Sequence, residues 1–463
     1  MAKAIQDNNT LYNILSPLVQ FGMRCHYDTF DVHGLENLPT DGSYIIAPCH
    51  QQALMEPLAI LNFAPKSPVF LARADIFAKP VVRAILTFLK ILPVYRIRDG
   101  KGNLSKNNEI FDLSRNVLLD GFPLCLMAEG RHNDRHHLLP LVKGMFRIAG
   151  ETQLKLGDHP LYIVPTGIDF DEYERPYSNL VVNIGKPIPV QPYMDTFREN
   201  EPVALNQMRD ALSSALMPLM HDIRSDANYE EILTLCHVLN KEFRQHNGLK
   251  NNAWNRFRMR QRIANTLDRM EAGQEAPFND IIEETRRYKG ICQRLRINEK
   301  IVTEHWSLAA SALSVASVAA LVAAMAVVPA VRWVVLFLIL CYPLPFLPTY
   351  LIPRKIIKDP QFRSSINFGI RFLFGILYTI VIGIVMACTG GAWMAELADI
   401  GAWWGLVAVA VVYVGAICSA TIVNGLKGIW NNARYWVLRL VKKESFTELH
   451  NSLDKLQDLV PEK

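Results

Sequence analysis

The sequence predicts an α/β domain with a mostly parallel central sheet, followed by a helical connector and a C-terminal bundle of about four transmembrane helices. Three observations predict it. Short apolar runs separated by amphipathic stretches fill residues 1 to about 195, the pattern of strands buried on both faces. Helical periodicity, broken at Gly273 to Pro277, fills residues 200 to 300. Beyond that come long stretches almost without charge.

The strands of the first part are read at Tyr44-Ile45-Ile46-Ala47, Val69-Phe70-Leu71-Ala72, Leu124-Cys125-Leu126-Met127 and Tyr162-Ile163-Val164-Pro165. Upstream, Leu11, Ile14, Leu15, Leu18 and Phe21 fall at helical spacing and form one apolar stripe. The stripe packs on the domain or lies in a membrane interface, core packing being the commoner outcome. Within the connector, the basic run from Arg256 to Arg262 reads as a solvated face.

Four apolar stretches follow. The first runs from Ser307 to Val331 and the second from Trp333 to Pro353. The third spans about Ile366 to Ala395 and the fourth Ile400 to Leu426. Each supplies the roughly 20 residues that a bilayer's hydrocarbon core demands. Trp306, Trp333, Trp393, Trp403, Trp404, Trp430 and Trp436 lie at or near their ends, as an interfacial belt requires. Pro343, Pro345 and Pro348 interrupt the second stretch. Basic residues precede the first span (Arg286 to Lys300), join the second and third (Arg354, Lys355, Lys358, Arg363) and follow the fourth. Only Glu396 and Asp399 are charged between the third and fourth. The positive-inside rule therefore puts both termini in the cytoplasm. The expected divisions are a catalytic-type domain at 1–199, the connector at 200–303, the membrane region at 304–430 and a cytoplasmic tail at 431–463.

Composition narrows the class further. Hydrophobic residues make up 50% and charged ones 20% of the 463 residues, which excludes a disordered or collagen-like chain. A mean hydropathy of +0.10 argues against a wholly transmembrane protein. Lys+Arg at 49 against Asp+Glu at 44 gives +5, too weak an excess for a nucleic-acid binder but suited to an anionic lipid surface. None of the eight cysteines is spaced C-x-x-C, so reduced cytosolic thiols are expected rather than zinc or disulfides. The N-terminus lacks a basic cluster followed by an apolar core, so no cleaved signal peptide is expected.

Chemistry gathers at four strand ends, where open α/β sheets bind ligands. In Cys49-His50-Gln51-Gln52-Ala53-Leu54-Met55-Glu56-Pro57 a histidine follows a strand, and a carboxylate comes six residues later. Such a histidine can act as general base if a carboxylate holds its second nitrogen in the right tautomer. Arg96 and Arg98 follow Ile91-Leu92-Pro93-Val94; Glu129, Gly130 and Arg131 follow the next strand; Val164 and Pro165 close the fourth. Cys49 beside the histidine is read as core, since strand neighbours point to opposite faces. His132, His136 and His137 share their loop with Arg131, Asp134 and Arg135. They are read as loop surface, and no metal site is expected.

That order of base, cations, acidic-glycine turn and small-residue turn resembles the four blocks of the glycerophospholipid acyltransferase family, the PlsC-like enzymes that acylate glycerol 3-phosphate and lysophosphatidate. The resemblance covers roughly residues 10 to 200. It implies that His50 is the general base and Glu56 its partner. It implies that Arg96 contacts the acceptor's phosphate, with Arg98, Arg131 and Lys143 as further cations. Glu129 and Gly130 match the third block, with Ala128 in place of its proline, and Pro165 belongs to the block tied to the acyl donor. Two positions depart from the pattern. The family's aspartate five places after the histidine is Met55 here, with the acid one place later as Glu56, and Asp75 is the nearest alternative. The usual hydroxyl residue after the glycine is Arg131.

The implied activity is membrane-bound O-acyl transfer in phospholipid synthesis. The acyl group would come from acyl-CoA or acyl carrier protein, with no further cofactor, and go to 1-acyl-glycerol 3-phosphate or glycerol 3-phosphate. Backbone N–H groups near Gly130 are candidate oxyanion donors. One alternative is an acyltransferase for another acceptor, such as an amino-acid-containing lipid or a lysophospholipid. Another is a non-catalytic lipid-binding transport or assembly protein, which the paucity of ionisable residues in the spans disfavours. The expected location is a bacterial inner membrane, with the catalytic domain cytoplasmic.

Overall fold

The computed structural model describes residues 4–95, 106–131, 135–173, 178–329, 336, 361–395 and 425–461. It divides into two compact units, the first made of Met1–Arg224, Leu249–Asn265 and Asp359–Ser365, the second of the remainder.

The first unit is built on an eight-stranded sheet: β1 (Thr29–His33), β2 (Ser43–Pro48), β3 (Val69–Arg73), β4 (Ile91–Val94), β5 (Leu124–Cys125), β6 (Leu161–Phe170), β7 (Asn179–Ile184) and β8 (Ile188–Pro189). Their order is β1-β7-β6-β2-β5-β3-β4, with β8 paired to β6. The pairs β2/β5, β2/β6, β3/β4, β3/β5 and β1/β7 are parallel. Among the described residues, antiparallel pairing is confined to β6 with β7 and β8. The reason is the length of chain available. Parallel neighbours need a long crossover, whereas the few residues between β6 and β7 allow only a reversal.

Sequence dictates which strands are central. All six residues of β2 and nine of the ten in β6 are buried, as in strands covered on both faces. Ile45 and Ile46 are fully excluded from water, and each such side chain contributes about 1.5–3 kcal/mol. Among the helices around the sheet are α1 (Thr10–His26), α2 (Met55–Leu61), α3 (Lys106–Leu119), α4 (Gly144–Leu156) and α5 (Glu201–Leu216). Both α4 and α5 pack on β6, and α3 packs on β2 and β5.

Three expectations change here. The stripe on α1 is not core: Leu11, Ile14, Leu15, Leu18 and Phe21 are all exposed, while Tyr12, Met23 and His26 face inward. The first unit also continues past residue 199, through α5, and takes in residues 249–265 of the expected connector. Finally, the basic run is not wholly solvated. Arg260 is 4% exposed and pairs with both Asp169 and Asp171, because a guanidinium fork can serve two carboxylates at once.

The second unit is helical. Its helices include α6 (Tyr229–Val238), the C-terminal part of α7 (Ala253–Ala272), α8 (Ala276–Leu295), α9 (Leu308–Val327), most of α10 (Gln361–Ala395) and α11 (Lys443–Leu459). α8 packs on α6 and α11. Glu284 of α8 accepts from Ser452 Oγ at 2.5 Å and Lys455 Nζ at 2.7 Å, so the expected tail is docked on the connector. Among the described residues, α9 is the one helix long and apolar enough to cross a membrane, with 20 residues and hydropathy 2.1. The third expected span falls on α10, of 35 residues. The second and fourth lie almost entirely outside the described residues.

Candidate active site

β2 ends at Pro48, and the chain turns through residues 49–54 into α2. Ala53 takes a φ of 37°, in the left-handed region that a side chain with a Cβ enters at a cost of about 1–2 kcal/mol. That tight turn brings the start of α2 back to His50. Glu56, in the first turn of α2, is fully buried. Its Oε1 accepts from the backbone N–H of Gln51 at 2.7 Å and from that of Gln52. Its Oε2 lies 3.5 Å from His50 Nδ1, whose side chain keeps 15% exposure. The six-residue interval is thus workable: the N–H groups inside the interval clamp the glutamate, and its extra methylene restores the reach.

Asp75 sits elsewhere. It forms a two-pronged pair with Arg73, and both side chains are 40% or more exposed. Glu56, not Asp75, is the carboxylate at His50.

A second carboxylate supports the same turn. Glu129, 2% exposed, accepts from the backbone N–H of His50 at 2.6 Å and from that of Leu139 at 2.9 Å. Burial pushes its carboxyl up to about 7, against the pull of those two N–H donors and of His50. Both oxygens of Glu129 thus face backbone N–H groups inside the protein and hold the histidine loop. Gly130 follows at φ 63°, where a Cβ would come within 3.1 Å of Val142. Its N–H donates to Met127 O at 3.0 Å.

The remaining candidates are placed as follows. Arg131 is exposed just beyond Gly130, and Lys143 is exposed ahead of α4. Pro165 is buried in β6, level with Ala47 of β2. Arg96 and Arg98 lie outside the described residues, as does His132. Cys49 is fully buried. Its Sγ accepts from Ile168 N at 3.2 Å, and burial pushes its thiol well above the ordinary range. A core role follows, and a thiolate nucleophile does not.

Sequence reasoning missed Gln51, Gln52 and Tyr173. Both glutamines are 2% exposed, and the Tyr173 hydroxyl donates to Gln51 Oε1 at 2.9 Å. Being adjacent to His50 was the only available signal for the glutamines; for Tyr173 there was none. His136 was misread as loop surface: it is 6% exposed, and its Nδ1 meets the Tyr173 hydroxyl at 3.0 Å.

Fold and site together define an α/β domain carrying a histidine–glutamate pair at the end of a central strand. Residues 29–169 match the Acyltransferase family model. A crystal structure of the 1-acyl-sn-glycerophosphate (LPA) acyltransferase, PlsC, from Thermotoga maritima is similar at 20% identity. The similarity covers 43% of this chain and 79% of that one, with a TM-score of 0.30.

Proposed function

We propose that this protein is a membrane-bound O-acyltransferase of phospholipid synthesis. It moves a fatty acyl group from acyl-CoA or acyl carrier protein to 1-acyl-glycerol 3-phosphate or glycerol 3-phosphate. The observation that carries the reading is the His50–Glu56 pair, 3.5 Å apart at the end of β2 with the glutamate fully buried. His50 Nε2 takes the proton of the acceptor hydroxyl as its oxygen attacks the thioester carbonyl. The tetrahedral intermediate then expels the thiolate, which takes that proton back from the imidazolium. Glu56 keeps the Nδ1–H tautomer and balances the charge on the ring. Glu129 fixes the backbone from which His50 projects.

The acceptor's phosphate is met by arginines, whose planar fork suits bidentate binding: Arg96, with Arg98, Arg131 and Lys143 as further cations. Four spans anchor the domain, with the catalytic side and both termini on the cytoplasmic face of a bacterial inner membrane. The exposed stripe of α1 lies in the membrane interface, where the lipid acceptor resides. The test is His50→Ala, purified and folded. A loss of acyl transfer of about 100-fold or more is expected; unchanged transfer from either donor to these acceptors defeats the proposal.

A further inference from the structure

Behind the His50 turn, three metal-binding side chains converge in the buried part of the first unit. His136 comes from the loop after the Glu129 turn, Asp169 from the end of β6, and His221 from the segment after α5. One ligand-type atom of each lies within 4.8 Å of the other two. The three residues are 6%, 2% and 1% exposed, respectively. The two imidazoles face each other with ring centroids 4.5 Å apart, tilted by 41°. His136 Nδ1 stands 3.9 Å from Asp169 Oδ1. Ligand atoms on an ion with bonds of about 2.0–2.1 Å sit roughly 3.3 Å apart in a tetrahedron, so closure by up to about 1.5 Å from the 4.8 Å spacing brings three ligands onto one ion and leaves the fourth position open.

The surroundings orient these groups. The Tyr173 hydroxyl donates to Gln51 Oε1 and lies 3.0 Å from His136 Nδ1, which fixes the orientation of the imidazole, the way an outer hydrogen-bond partner sets a ligating histidine. Arg260 pairs with Asp169 Oδ2, while Oδ1 is the oxygen beside His136. Asp171 takes the other arm of Arg260 and stands 3.8 Å from Arg256 Nε, so Asp169 shares Arg260 and leaves Oδ1 toward His136. Two imidazoles and one carboxylate, without a thiol, suit zinc-class ions rather than calcium or magnesium, which prefer all-oxygen sites.

We infer that His136, Asp169 and His221 bind one divalent transition-metal ion of the zinc class. The ion clamps the loop that supports the histidine turn. That loop is tied in from several sides: Ile223 N donates to His136 O at 2.7 Å, Leu138 N to Asp222 Oδ1 and Leu139 N to Glu129 Oε2, both at 2.9 Å. The inference stands independently of the role proposed for His50.

The test uses the full chain in detergent with any affinity tag removed, stripped with chelator and reconstituted with Zn²⁺ or Co²⁺. Metal per chain is read by elemental analysis and affinity by chelator competition. About one equivalent is expected in the wild type and in His50→Ala, and also in His159→Ala, which removes an exposed histidine. Asp169→Asn and His221→Gln should lose the ion. Tyr173→Phe, which removes only the orienting hydroxyl, should weaken it by about 10–100-fold. A wild-type chain that retains no metal overturns the inference, and so does full occupancy in folded Asp169→Asn or His221→Gln. Should those variants not fold, X-ray absorption of the zinc-loaded wild type decides. Two imidazoles with oxygen support the site, and sulfur ligands or a single imidazole refute it.

Discussion

Replacing Glu56 by Gln isolates what the carboxylate does for His50. Oε1 carries the two backbone N–H bonds from Gln51 and Gln52, so the amide oxygen must stay there. The new NH₂ group is thereby directed at His50 Nδ1. Two donors cannot face each other, so the ring proton moves to Nε2, the atom that must accept the substrate's proton. The charge on the ring also loses its counterion. At 3.5 Å and an effective dielectric of about 20, that attraction is about 4–5 kcal/mol, or roughly three decades in rate. Because His50 is partly exposed, water screens some of this, and kcat should fall by about 100- to 10,000-fold. KM should change little, and folding stability by no more than about 1 kcal/mol, since the clamp survives. The assay follows thiol release from acyl-CoA in the presence of lysophosphatidate, with kcat and KM resolved separately. A variant within about fivefold of wild-type kcat, tested beside an inactive His50→Ala, would refute the orienting role.

Other predictions follow from the same geometry. The Glu129 carboxyl is raised to about 7 by burial, so the native state holds a proton that the unfolded chain releases near pH 4.5. Stability is therefore full below about pH 4.5 and falls by about 3 kcal/mol as pH rises to about 7. Denaturant midpoints at pH 5 and pH 7.5 should show the drop in the wild type, and Glu129→Gln should flatten it. Arg260→Ala removes the buried cation from Asp169, at 2% side-chain exposure, while Asp171 keeps Asn179 and Arg256; it should cost about 3–5 kcal/mol in thermal or denaturant unfolding. Gly130→Ala puts a Cβ on a residue at φ 63° and 3.1 Å from Val142; a loss of about 1–2 kcal/mol is expected in the same measurement.

Much of the fold could be read from local pattern. The strand cores at Tyr44–Ala47, Val69–Ala72 and Tyr162–Pro165 fall within β2, β3 and β6, because strands of a covered parallel sheet read as near-continuous apolar runs. The histidine and glutamate were also readable as candidates, since Glu56 lies six positions after His50, and the structure rather than Asp75's proximity in sequence settled which acid stands there. The α1 stripe was legible as a stripe but not as an exposed one. Periodicity reports which residues share a face, not what that face meets.

Sequence by itself determined the strand pattern, the histidine turn with Glu56 as one candidate carboxylate, and the charge-poor C-terminal stretches, all features whose parts lie within a few turns of chain; the structure decided between Glu56 and Asp75. Tertiary structure alone decided that Glu129 spends its carboxylate on the backbone of His50, 79 residues away. It decided that Arg260 leaves the solvated face to reach Asp169, across 91 residues. It also decided that His136, Asp169 and His221 meet at all. The physical reason is the same in each case. A buried polar group must find a partner, and the sheet's crossovers, rather than the spacing of residues along the chain, determine which partner stands within reach.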